Sequence, residues 1–171
     1  MSERVLILLR HAKSDWPAGV TDSERPLAGR GRRDAPVAGV LLEHLTRTID
    51  LVLVSPAVRT RQTWALVSDH VIASQVRTEP AIYEATAGDL LDVLRRVPDS
   101  AETALLVGHN PGLADLAIAL AGSGDLAARD RIAHKLPTCS VVLLRFGGSW
   151  SNLSNGDAEL ISHHVPRADS V

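Results

Sequence analysis

The chain has a single cysteine, Cys139, among its 171 residues. An intrachain disulfide is excluded, and a cytoplasmic setting is the default for such a sequence. Aromatic residues are scarce as well: three Trp, one Tyr and one Phe. The core is therefore expected to rest on Leu, Val, Ile and Ala. No apolar run approaches the roughly 18 residues of a membrane-spanning helix, and the opening residues lead straight into a strand pattern with no signal-type apolar segment. Charge of one sign is also lacking. The formal net charge is −2, which provides no general basic face for nucleic acid or an anionic membrane. HExxH, a Walker lysine and an EF-hand loop are absent, so neither a metal nor another cofactor is expected. Repeats, low-complexity stretches and linkers are missing too. One domain over residues 1–171 is expected, with residues 166–171 as a loose C-terminal tail.

What is present is an alternation of short apolar runs and helical periodicities. Residues 4–10 read as a buried strand, and a polar loop with Pro and Gly follows to about residue 31. Ala35, Ala38, Leu41, Leu42 and Leu45 repeat at helical spacing, with Pro36 in the first turn or at a kink. Residues 49–54 form the next strand. Ser55-Pro56 reads as an N-cap followed by proline at the first helical position, opening a helix to about residue 68. A short strand at 76–79, a helix around Leu90, Leu91 and Leu94, and a strand at 103–108 follow. Asn110-Pro111 repeats the cap-then-proline start of a helix that Gly122-Ser123-Gly124 ends. Residues 140–146 and 158–163 make the final strands, a hairpin across 147–157. The pattern predicts an α/β three-layer sandwich around a mainly parallel, mixed sheet.

Two of these strands end in histidine. One runs through Leu8-Leu9-Arg10 into His11, the other through Val107-Gly108 into His109. In an open parallel sheet the C-terminal strand edge is where ligands bind. The helices expected after Ser55-Pro56 and Asn110-Pro111 point their free N–H groups and positive dipole ends at that same edge. Arg10 and Arg59 add fixed charge. Arg61, two residues on, cannot share a helical face with Arg59 and is expected to be structural. A basic pocket holding two histidines suits phosphate. Phosphoryl transfer requires positioning and charge stabilisation of three equatorial oxygens, which arginines and a histidine supply without metal. Histidine is also a competent nucleophile near neutral pH, and neighbouring arginines disfavour its protonation.

Four segments carry a resemblance: Leu9-Arg10-His11-Ala12-Lys13; Arg25-Pro26-Leu27 with Gly29-Arg30-Gly31; Ser55-Pro56-Ala57-Val58-Arg59-Thr60-Arg61-Gln62-Thr63; and Val107-Gly108-His109-Asn110-Pro111-Gly112. Each is short, but together and in order they resemble the histidine phosphatase superfamily, and within it the SixA-type phosphohistidine phosphatases. The resemblance implies a phosphoglycerate mutase-like fold, transient phosphorylation of His11, and Arg10, Arg59 and His109 clamping the phosphoryl group. Lys13, Ser14 and Asn110 are further candidates for substrate or phosphate contact. The superfamily's common tripeptide has Gly after the nucleophile; Ala12 stands here, which needs φ below zero or mild strain. Larger members carry an acidic general acid on an inserted segment. Glu84 is the candidate here, although a phosphohistidine leaving group needs such an acid less than an alkoxide does.

The expected partner is therefore a phosphorylated protein bearing phosphohistidine, or a small phosphoester. Alternatives are a small-molecule phosphomonoester phosphatase of the same superfamily, a phosphomutase, a metallohydrolase, and a non-catalytic phosphate-binding regulatory domain. His163 and His164 cannot face one way on a strand, which speaks against a metal pair there. His44, His70 and His134 show no partner signal, and Cys139 reads as a buried small apolar residue.

Overall fold

The computed structural model describes residues 2–170. In chain order its main elements are β1 (Glu3–Arg10), α1 (Gly29–Leu45), β2 (Thr48–Val54), α2 (Val58–Val67), β3 (Ile72–Thr78), α3 (Ala87–Arg95), β4 (Thr103–Gly108), α4 (Gly112–Leu120), β5 (Ala121–Gly124), α5 (Leu126–His134), β6 (Val141–Gly147) and β7 (Ala158–His164). All seven strands join one sheet in the order β3-β2-β4-β1-β6-β7-β5. Pairings among β3, β2, β4 and β1 are parallel, as is β5 with β7; β6 runs antiparallel to both β1 and β7.

Strand residues alternate between two apolar layers, as their period of two requires. Leu6 and Leu8 pack with Leu90, Leu94, Leu113, Leu116 and Ile132 from α3, α4 and α5. Ile7 and Leu9 pack on the other face with Ala35, Ala38 and Leu42 from α1 and Val67 from α2. The fold is a three-layer α/β sandwich built on Leu, Val, Ile and Ala. Of the five aromatic side chains, Phe146 and Trp150 enter the core, stacked edge to face.

Several local readings are corrected. Helix α1 begins at Gly29, six residues ahead of its first apolar repeat, and its N-cap Ala28 makes no side-chain capping bond. Gly31 permits this start, because a Cβ there would stand 2.2 Å from the Lys13 carbonyl oxygen. Pro36 consequently sits inside the helix, not in its first turn. Ser55 and Asn110 do not cap α2 and α4; Ala57 and Pro111 occupy those places. Both polar side chains are turned to other partners at the strand edge. Gly122-Ser123-Gly124 does more than end α4, since it forms β5. Helix α5 is an element the apolar spacing does not show. Its N-cap Asp125 accepts from Ala128 N at 2.9 Å, and only Ala128 and Ile132 are buried. Residues 166–169 are tied down where a loose tail was expected: Ala168 N donates to Asp34 Oδ1 at 3.0 Å, and Arg167 donates to the Thr138 carbonyl at 3.0 Å. The tail's last residue, 171, lies outside the described residues.

Candidate active site

Strand register places the chemistry. Arg10 lies opposite Gly108, and Val54 opposite Val107, across parallel neighbours. The residues that follow, His11, His109 and Ser55, therefore emerge together at the C-terminal edge of β1, β4 and β2. Backbone bonds fix His11 there: its N–H donates to the Gly108 carbonyl at 3.1 Å, and its carbonyl accepts from Cys139 N at 2.9 Å. Cys139 adopts φ of 66° to reach it. Ala12 shows no positive φ, so the methyl group in place of the family's hydrogen causes no backbone strain. Its N–H donates to Thr63 Oγ1, which in turn donates to the Arg59 carbonyl, joining the loop after β1 to α2.

The His11 ring has a defined proton arrangement. Nδ1 lies 2.7 Å from the Ala12 carbonyl oxygen. A carbonyl can only accept, so Nδ1 carries the proton and Nε2 keeps a free lone pair. Burial is the main force holding this imidazole neutral. His109, Arg10 and Arg59 reinforce it and the Ala12 carbonyl opposes it, leaving the pKa at about 3. His109 stands with its ring centroid 5.4 Å from that of His11. Burial, then Arg59, push its pKa down to about 4, against the opposing charge of Asp22. Its Nε2 pairs with Ser55 Oγ at 2.7 Å, and Nδ1 is buried without a partner.

The arginines are held at one side and unpaired at the other. Arg10 Nη1 donates to the Leu136 carbonyl at 2.9 Å, as does Asn110 Nδ2. Burial, then Arg59, lower the Arg10 pKa. Arg59 donates from Nη1 to the Asp22 carbonyl at 2.7 Å and from Nη2 to Asp22 Oδ2 at 3.1 Å. The Nε atoms of both arginines are buried without partners. Arg10, Arg59 and His109 thus border one cleft, and each keeps a buried nitrogen with no partner in the protein; this positive, polar lining suits an oxyanion. The cleft holds about 340 Å³ and is bordered by Arg10, His11, Lys13, Ser14, Arg59, His109 and Asn110. Every one of these is a candidate from the sequence. Glu84 is exposed at φ 55° and does not border the cleft.

Sequence reasoning assigns no role to other residues found here. Trp16, Arg25 and Thr138 also border the cleft. Asp22 binds Arg59, Arg25 and the Tyr83 hydroxyl together. The Tyr83 bond, then Arg25 and Arg59, hold its carboxyl at about 2 against a burial effect that raises it. Arg25-Pro26-Leu27 is visible as a motif, but its partners are not. Ser55 gives a capping signal, although it serves His109. Among the described residues, no three His, Cys, Asp or Glu side chains converge as a metal site.

The histidine phosphatase superfamily (branch 1) model matches residues 6–96. The chain belongs to that superfamily, and it is a phosphatase. An uncharacterised protein of Mycobacterium tuberculosis H37Rv is 42% identical over 93% of this chain and all of its own length. Among solved structures, the protein described as phosphohistidine phosphatase SixA from Nakamurella multipartitia superposes with a TM-score of 0.86 at 32% identity, covering 97% of this chain and 98% of that one. The Agrobacterium tumefaciens protein described in the same terms gives 0.78 at 26%, over 95% and 99%. A mycobacterial glucosyl-3-phosphoglycerate phosphatase shares the fold alone, at 0.61 and 17% identity over 92% and 97%. The phosphoglycerate mutase-like architecture is thus established along with the family.

Proposed function

We propose that this phosphatase is a cytoplasmic, metal-independent enzyme that removes phosphate from phosphohistidine on a protein through a phospho-His11 intermediate. The observation that carries the choice of substrate is the state of the acids. Among the described residues the cleft is bordered by no carboxylate, and the carboxylate on its clamp, Asp22, is held ionised by Tyr83, Arg25 and Arg59. An alkoxide leaving group needs a proton in the transition state. An imidazole already protonated on its distal nitrogen leaves without one. The high similarity to the two SixA-described structures supports the same reading.

In the first step His11 Nε2 forms a bond to phosphorus. The bond from phosphorus to the substrate imidazole breaks, and its electron pair stays on the departing nitrogen. The ring leaves as neutral imidazole. Arg10, Arg59 and His109 donate to the equatorial oxygens, where charge stabilisation counts most. The Ala12 carbonyl keeps the proton on His11 Nδ1. Phospho-His11 is therefore itself a protonated phosphoimidazole. In the second step water adds oxygen to phosphorus, the electron pair returns to Nε2, and the water proton passes to the released phosphate. Lys13, Ser14 and Asn110 border the cleft, and we assign substrate contact to them.

The test compares kcat/KM for phosphohistidine, an aryl phosphate and an alkyl phosphate, alongside mass spectrometry of rapidly quenched enzyme. The expected order is phosphohistidine, then aryl, then alkyl, with an acid-labile phosphate on His11. Preference for alkyl phosphates would replace this substrate with a small phosphomonoester.

A further inference from the structure

The chain has three tryptophans, and they meet very different fates. Trp150 is fully buried and Trp64 packs partly against the α1–α2 layer. Trp16 is 73% exposed, belongs to neither apolar layer, and borders the cleft that holds His11 and Arg59. Folding does not require an indole at this place. We propose that Trp16 determines specificity, its open face forming a platform on which an aromatic ring of the leaving group of the phosphoryl donor stacks. The proposal rests on the phosphatase reading of the cleft and extends it to the leaving-group side.

The ring is held firmly for an exposed side chain. The Arg25 guanidinium carbon lies 3.3 Å from the ring centroid and covers one face. Arg25 is itself buried and has no freedom to swing away. Its Nε donates to the Asp15 carbonyl at 3.0 Å, Nη1 to Asp22 Oδ1 at 3.1 Å, and Nη2 to Ser14 Oγ at 2.7 Å. The Trp16 backbone N–H is also anchored, to Asp15 Oδ1 at 3.0 Å. A stacked guanidinium therefore occupies one face, and the exposure lies on the other. Such a surface binds flat π-systems at low entropic cost, because the ring is ordered before the ligand arrives. The position suits the reaction. With the phosphoryl group on His11, Arg59 and His109, the leaving group points away from Nε2 toward the rim, since nucleophile and leaving group lie in line. An imidazole or aryl ring gains stacking there, whereas a leaving group without a ring does not.

The experiment uses Trp16→Leu and Trp16→Phe with four donors. Phosphohistidine and 4-nitrophenyl phosphate carry rings. Phosphoramidate and acetyl phosphate have reactive bonds to phosphorus but no ring. Trp16→Leu is expected to lower kcat/KM for the two ring donors by about 3- to 10-fold, the range of an aromatic contact. Phosphoramidate, acetyl phosphate and inhibition by inorganic phosphate should change less than twofold. Trp16→Phe should restore most of the loss. An equal loss on all four donors would show that Trp16 only supports the loop, and no loss on any would show an idle ring; either result overturns the platform. Failure of the underlying reading is separate. It would appear as hydrolysis of all four donors by His11→Ala, whatever the Trp16 variants do.

Discussion

The two ends of the sheet make an instructive pair. Each has a hollow bordered by an arginine of β1. At the start of β1, Arg4 borders a hollow of about 610 Å³ with Gly147, Gly148 and Ser149. At the end of β1, Arg10 borders the smaller one of about 340 Å³. Volume favours the wrong end. Arg4 meets the Asp99 carboxylate and carbonyl, at 3.3 and 3.1 Å, and no histidine borders its hollow. An unpaired buried Nε does not separate the two, since Arg4, Arg10 and Arg59 all have one; what the cleft end adds is two neutral imidazoles beside two arginines in one place. Parallel strands cause the difference, because β1, β2 and β4 all deliver their last residues and the following helix N-termini to that edge.

The largest expected effect breaks the comparison most directly. His11→Ala should reduce turnover to background and abolish acid-labile phosphate on the protein. Arg4→Ala should leave turnover per folded molecule unchanged and lower stability by about 1–3 kcal/mol, the usual range for losing a buried, bonded side chain. Activity assays beside thermal melts separate the two. Loss of turnover in Arg4→Ala would make the far hollow part of the enzyme. Next in size, Arg59→Ala should lower kcat by about 10²–10³, as for removal of a preorganised charge stabiliser. It should also abolish most of the rise in Tm that phosphate gives wild type by mass action. Undiminished phosphate protection in that variant would move the anion site elsewhere.

The cleft also has a pH signature that the far end lacks. His11 and His109 have folded pKa values of about 3 and about 4, below their unfolded value of 6.5. Below pH 6.5 the unfolded chain binds protons at both sites while the folded chain does not. Stability present above 6.5 is therefore lost as pH falls toward 4 and then 3. The loss from His11 is on the order of a few kcal/mol. Thermal melts from pH 7 to 4 should show a shallower decline for His11→Gln than for wild type. Parallel curves would mean that the ring is not held neutral by its surroundings.

Much of this arrangement is legible in the sequence, and the reasons it stops are physical. Strand ends, Arg10, His11, Arg59 and His109 are read from local runs and the order of motifs, because parallel register converts strand ends into one edge. Asp22 is not legible. Its bond to Arg59 spans 37 residues and its bond to Tyr83 spans 61, so no local spacing reveals either. Ser55 has a sound capping signal, yet its hydroxyl serves His109, since a buried imidazole nitrogen is costly to leave unpaired. Helix α5 escapes periodicity because two buried residues, Ala128 and Ile132, do not make a stripe. The C-terminal residues look unconstrained until Asp34, buried on α1, is seen to accept from Ala168 N and pair with Arg167 at 3.5 Å.

The smallest expected effect tests whether the cleft works without an acid. Glu84 is the one acidic candidate offered by the sequence, and its backbone is in the left-handed region, at φ 55°. Strain of that kind gathers at functional sites. Here it follows Tyr83, whose hydroxyl donates to Asp22 and whose ring meets His109 edge on at 5.6 Å. The unusual backbone thus accompanies the placement of Tyr83, while the Glu84 side chain stays exposed outside the cleft. Glu84→Gln preserves size and backbone preference and removes only the ability to donate a carboxyl proton. It should cost less than about tenfold on phosphohistidine, aryl and alkyl phosphates alike, under roughly 1.4 kcal/mol of barrier. A general acid would behave differently: alkyl esters would lose about 10²–10⁴ and phosphohistidine far less. That graded loss, measured as kcat/KM on the three donors, would place a proton donor at the cleft and shift the enzyme toward phosphomonoesters.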